Sequence, residues 1–191
     1  MWTAAILAGG QARRLGGIDK SALLVRGTSI LDRQLAVLRS LTPHILIVAS
    51  DEHRYREAGV PVVRDRIRGA GSLGGLYTAL VEAPTEQLVV MACDMPFLTA
   101  PFLTRLAALG AGADAAMPRD SRGLHPVCAA WARRAAPHLL ARIDEGQLRI
   151  LDALAGLDVR EMDPGELARF DPDGRLLLNI NTPDDYARAT A

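Results

Sequence analysis

Cysteine is scarce in this chain. Only Cys93 and Cys128 occur, far apart and without metal-ligand spacing, which argues against a disulfide scaffold and a cysteine zinc site and fits a reduced, cytoplasmic setting. The histidines, at positions 44, 53, 125 and 138, show no zinc spacing either. No apolar run approaches about 18 residues, so no membrane span is expected. Met1 leads at once into strand-like sequence rather than a charged and then apolar leader, so no signal peptide is expected. An excess of one charge is also missing: 22 basic and 22 acidic residues cancel. No global field then draws the chain to nucleic acid or to an anionic membrane. Lysine is the rarest base of all, since Lys20 is the only one and every other cation is arginine.

What remains is ordinary for a globular protein: 191 residues, 49% hydrophobic, 23% charged and a low 4% aromatic. That length suggests one domain over residues 1–191 with a sizeable core, and no repeat or long linker divides it. Thr3 to Leu7, Ile45 to Val48, Val62 to Val63 and Gln87 to Ala92 read as short buried strands. Between them, Leu31, Leu35 and Leu38 mark one face of a helix capped by Thr28 or Ser29. Glu52 to Glu57 reads as a short helix and Leu73 to Glu82 as a longer one. Pro101 to Leu109 predicts a helix and Ala113 to Met117 a strand, and Gly123 to Trp131 a strand that reverses direction. Helices over Arg133 to Arg142 and Leu148 to Leu154, an edge strand at Val159 to Met162 and a last helix begun by Thr182 and Pro183 complete the pattern. Strands alternating with helices predict an α/β fold, a mostly parallel sheet with helices on both faces.

In such sheets ligands bind beyond the carboxyl ends of the strands. Leu7 to Lys20, LAGGQARRLGGIDK, sits there after the first strand with four glycines, two arginines and the lone lysine. Glycines let the backbone approach a ligand and turn its N–H groups toward an anion. The bland alternative is a surface turn. Asp94, at the end of the strand Gln87 to Ala92, lies on the same edge and could cap the next segment or hold a Mg²⁺ that bridges phosphate oxygens. A second cluster, Gly69, Gly71 and Gly74, matches a dinucleotide fingerprint with Asp94 twenty residues on. Charged residues rather than a strand precede it, and an NAD(P) oxidoreductase would leave Lys20 without a task. A hydrolase built on Ser72 lacks the leading glycine of a nucleophile elbow, where Ala70 stands, and an obvious strand before it.

Taken together, LAGG-x-x-x-R-L-G-G-x-D-K, the CDMP of Cys93 to Pro96 and the NINTPDDY of Asn179 to Tyr186 resemble the molybdenum cofactor guanylyltransferases, the MobA family of nucleotidyltransferases. The resemblance implies a Rossmann-like, three-layer α/β domain and a Mg²⁺-dependent enzyme that joins GMP from GTP to molybdopterin and releases pyrophosphate, with molybdoenzyme-assembly proteins as further partners. By the same resemblance Leu7, Ala8, Gly9 and Gly10 contact guanine and ribose, and Arg14, Gly17 and Lys20 hold the triphosphate. Asp65 is the nucleotide-binding acid, Asp94 the Mg²⁺ ligand, and His125, Arg149, Asn179 and Asn181 lie toward the pterin. Lys20, Arg14 and Asp94 are the expected catalytic set. Two departures stand out: Ser72 replaces a proline in G-P-L-x-G, and an asparagine common near the end of the second strand is missing from Val48 to Asp51. Gly10 favours GTP, since the related cytidylyltransferases tend toward LAAG. A CTP- or sugar-phosphate-dependent relative and a non-catalytic GTP-binding partner are the other expectations.

Overall fold

The computed structural model describes residues 1–8 and 20–190. Strands β1 (Thr3–Leu7), β4 (Ile45–Ala49), β5 (Val62–Arg64) and β6 (Gln87–Ala92) run parallel in the spatial order β6-β1-β4-β5. Beyond β6 the sheet continues through β9 (Cys128–Ala132), β7 (Ala115–Asp120) and β10 (Val159–Met162). β9 is antiparallel to both neighbours, and β8 (Gly123–Leu124) pairs antiparallel with the end of β7. The expected reversal in Gly123 to Trp131 is therefore present. A separate hairpin joins β2 (Leu24–Val25) to β3 (Thr28–Ser29). Its two turn residues, Arg26 and Gly27, both have positive φ, 53° and 80°, the pairing that a tight hairpin demands.

The strands are apolar on both faces because both faces are covered. Ala4, Ile6, Ile45, Ile47, Val89 and Met91 point into one cluster with Leu35 and Leu38 of α1 (Ile30–Arg39) and Phe102, Leu103 and Leu106 of α3 (Ala100–Leu109). Their neighbours in the chain, Ala5, Leu46, Val48, Leu88 and Val90, point the other way. They meet Leu73, Leu76 and Leu80 of α2 (Gly71–Glu82) and Leu139 of α4 (Ala136–Asp144). Alternation of side chains across a strand makes this two-sided core from continuous apolar runs. The three-layer arrangement and the mostly parallel sheet match the expectation.

A third, smaller cluster of Val25, Ile30, Ile180 and Ala189, with Leu23 and Tyr186 against it, fastens the hairpin to the terminal helix α6 (Pro183–Thr190). Thr182 caps that helix: its Oγ1 accepts from the Asp185 N–H while Asp185 Oδ2 accepts from the Thr182 N–H, the reciprocal arrangement of a capping box. The Leu148 to Leu154 helix is reduced to a 3₁₀ turn at Asp152–Leu154. Bonds of the i to i−3 kind, such as Asp152 N–H to Arg149 O, carry it, and Ile150 and Ala153 are its buried residues while Leu148 and Leu151 stay exposed. The short helix α5 (Pro164–Leu167), capped by Asp163, had no counterpart in the sequence reading.

Candidate active site

The carboxyl ends of β6, β1, β4 and β5 open into a cleft of about 840 Å³ whose walls include Leu7, Ala8, Lys20, Asp65, Asp94 and Asn181. The first turn of α2 supplies Gly71, Ser72 and Gly75 to the same cleft. The cleft thus lies where the topology puts ligands in α/β sheets.

At the β6 end, four side chains from three distant segments converge. Lys20 stands at the start of a 3₁₀ turn, Lys20–Ala22, which leads into the hairpin packed by the third cluster. Its Nζ donates to Asn181 Oδ1 at 2.5 Å and to Asp94 Oδ2 at 3.3 Å. Asn179 Nδ2 donates to the other carboxylate oxygen, Asp94 Oδ1, at 3.1 Å. The Asn-Ile-Asn pattern explains itself here. The Ile180 N–H bonds to the Asp94 carbonyl at 2.9 Å, Ile180 is fully buried in the third cluster, and the side chains before and after it reach Asp94 and Lys20, as alternation in an extended segment allows.

Asp94 is 8% exposed. Burial pushes its carboxyl above the usual aspartate value, and the charge and hydrogen bond of Lys20, with the bond from Asn179, pull only part of the way back. An ionised carboxylate has about four lone-pair directions, so one donor on each oxygen leaves room for a cation. Among the described residues no group of three or more His, Cys, Asp or Glu converges as a metal cage. That suits Mg²⁺, which takes one or two carboxylates and completes its shell with substrate phosphates and water.

Asp65 lies at the other end of the cleft, beyond β5. Its Oδ1 accepts from the Ile67 N–H at 3.1 Å and sits 3.1 Å from the Thr78 hydroxyl, so that oxygen closes a turn. The second glycine cluster belongs to this turn. A Cβ on Gly74 would come within 2.9 Å of both Ala70 Cβ and the Ile67 carbonyl, and Gly69 and Gly71 have φ of 86° and 58°. Turn geometry and close packing of α2 account for those glycines without a dinucleotide.

Gly9, Gly10, Arg14 and Gly17 lie outside the described residues. His125 does not line the cleft. Its Nε2 rests 2.9 Å from Asp120 Oδ1, an ion-pair contact rather than an aligned hydrogen bond, and it ties the β7–β8 hairpin to the loop before β9. Arg149 lines a smaller neighbouring cleft of about 310 Å³ that shares Ser72 and Val127 with the larger one. Asn179 and Asn181, expected toward the pterin, contact Asp94 and Lys20 respectively. Sequence reasoning passed over Arg64 and Arg68, which also line the cleft; the charge alternation of Arg64 to Arg68 was their only signal.

A parallel sheet with a basic and an acidic group at one strand end, under a helix that opens onto the cleft, defines an α/β nucleotidyltransferase. The description "MobA-like NTP transferase domain" matches residues 4–159, and the chain belongs to that family. Among its relatives, the molybdenum cofactor guanylyltransferase of Desulfosudis oleivorans is 30% identical over 99% of this chain and 94% of its own length. The enzyme of the same name from Mesorhizobium japonicum is 36% identical, with 96% and 92% covered. The crystal structure of molybdopterin-guanine dinucleotide biosynthesis protein A from Archaeoglobus fulgidus superposes with a TM-score of 0.86 at 31% identity, covering 98% of this chain and 96% of that one.

Proposed function

We propose that this protein is a molybdenum cofactor guanylyltransferase, working as a single nucleotidyltransferase domain over residues 1–191 and cytoplasmic in location. It transfers GMP from GTP to the terminal phosphate of molybdopterin. One phosphate oxygen of the acceptor attacks the α-phosphorus of GTP, the bond from that phosphorus to the bridging oxygen breaks, and pyrophosphate leaves with the electron pair. The attacking oxygen is already anionic, so the protein need not supply a strong base. It must instead hold two anions together in line.

The observation that carries this reading is the cluster of Lys20, Asp94, Asn179 and Asn181 at the β6 end of the cleft. Lys20, helped by Arg14, neutralises the triphosphate. A Mg²⁺ held by Asp94 would add Lewis-acid neutralisation of the phosphate oxygens. Leu7, Ala8, Gly9 and Gly10 lie along guanine and ribose, Gly17 along the phosphates, and the Asp65 carboxylate accepts from the nucleotide. Arg149, which lines the adjoining cleft, belongs with His125, Asn179 and Asn181 to the acceptor side. Titration with GTP, CTP, ATP and NADH, each with Mg²⁺, tests the assignment: GTP binds in preference. Preference for CTP would make the protein a cytidylyltransferase, and preference for NADH an oxidoreductase.

A further inference from the structure

Gln34 is buried where the fold has no evident need of an amide. It lies on α1 at 3% exposure, among the buried apolar residues Ile30, Leu35 and Leu38. Its Nε2 donates to the Ala92 carbonyl at 2.8 Å and to the Met95 carbonyl at 3.1 Å. Both partners are acceptors, so the amide must present its nitrogen to them. Oε1 is then left buried without a partner among the described residues, which is a standing cost. A leucine would spare that cost but would take this donor away from the Ala92 and Met95 carbonyls.

What the amide gains is control of one turn. Ala92 and Met95 bracket Cys93 and Asp94, and the neighbouring Arg33 Nε donates to the Pro96 carbonyl at 3.2 Å just beyond them. On its cleft side the same turn is held by the Ile180 N–H on the Asp94 carbonyl and by Lys20 and Asn179 on the carboxylate. Gln34 is the hold from within the core.

We propose that Gln34 is a positioning residue for Asp94, fixing the turn from Ala92 to Met95 so that the carboxylate meets the divalent cation that arrives with the nucleotide. This rests on the guanylyltransferase reading. A packing role alone would lower the melting temperature and leave cation affinity untouched, so the two are separable.

The test uses the full chain, Gln34→Met and Gln34→Asn. Mn²⁺ affinity is measured by electron paramagnetic resonance in the presence of GTP, GTP affinity by calorimetry in EDTA, and folding by thermal melting. Gln34→Met weakens Mn²⁺ binding about 10- to 100-fold, the usual effect of removing a group that orients a metal ligand, while GTP affinity in EDTA is unchanged. Gln34→Asn keeps a donor but cannot span both carbonyls, and its loss is intermediate. Wild-type Mn²⁺ affinity in folded Gln34→Met, or an equal loss of GTP affinity in EDTA, overturns the proposal. If Gln34→Met does not fold, wild-type Mn²⁺ affinity in Gln34→Asn overturns it. Failure of the unaltered protein to take up Mn²⁺ with GTP is a different result, and it sinks the guanylyltransferase reading together with this inference.

Discussion

Lys20 Nζ lies 3.3 Å from Asp94 Oδ2 although 74 residues separate them in the chain. The pair joins the segment after the glycine loop to the end of β6, and Asn181 holds the ammonium from a third direction. A buried ion pair of this kind is weak ground for stability, because desolvation offsets much of the attraction. On the proposed function, its value lies in handling the triphosphate and its metal.

Lys20→Ala is accordingly expected to slow pyrophosphate release about 100-fold or more, the usual effect of losing one preorganised charge donor. Its melting temperature should stay within a few degrees of wild type, since a 1 kcal/mol change moves a chain of this size by about 2–4 °C. Parallel kinetics and melting check both halves. Normal turnover would remove Lys20 from the mechanism.

Asp94→Asn separates stability from activity through pH. Burial holds the folded carboxyl above the ordinary aspartate value of 3.8, so the folded state binds more protons than the unfolded one between the two values. The stability linked to Asp94 is fully present below 3.8 and is lost as pH rises through the folded value. At neutral pH the ionised carboxylate is therefore a burden. Asp94→Asn should not melt below wild type at pH 7, yet it should have lost transfer activity. A large fall in melting temperature at pH 7 would show that the ionised carboxylate is needed for folding.

Asp120 has the opposite sign. Burial raises its carboxyl, but hydrogen bonds from the Arg122 side chain, the contact with His125 and the Arg122 N–H together hold it down to about 2. Its stabilisation is present above the unfolded value of 3.8 and disappears as pH falls from there through about 2. Asp120→Asn should destabilise the fold by about 1 kcal/mol at pH 6, after allowance for solvent screening, and by nothing near pH 2. Urea unfolding at the two pH values measures the difference.

Gly74→Ala forces a Cβ against backbone as well as side chain, since Ile67 O and Ala70 Cβ both stand 2.9 Å from its position. The expected cost is about 1–3 kcal/mol, the range for overpacking in a close-fitted site. Because Asp65 Oδ1 is only 3.4 Å away, nucleotide affinity should fall with stability. Chemical denaturation and a GTP titration on the same variant test the link.

The sheet was readable because its strands state their environment. Leu88 to Ala92 is apolar without interruption, and the structure covers both its faces. Leu148 to Leu154 misled for the reverse reason. Its leucines mimic a helical stripe, while Ile150 and Ala153 are the residues that bury. The site was half legible. Glycines, a lone lysine and an acid at strand ends point to phosphate chemistry from composition and order alone. Which side chains meet is a matter of tertiary packing, so Asn179 and Asn181 could not be placed on Asp94 and Lys20 from their spacing. Gln34 gave no signal, because one polar residue beside a leucine stripe reads as a solvated position until the fold closes over it.

The most direct test of the central claim is pyrophosphate release by the purified chain with molybdopterin, Mg²⁺ and each nucleoside triphosphate in turn. Release with GTP that requires both molybdopterin and Mg²⁺, with formation of the guanine dinucleotide, is the predicted result. GTP binding without pyrophosphate release under those conditions would contradict it and leave a nucleotide-binding protein that is not a transferase.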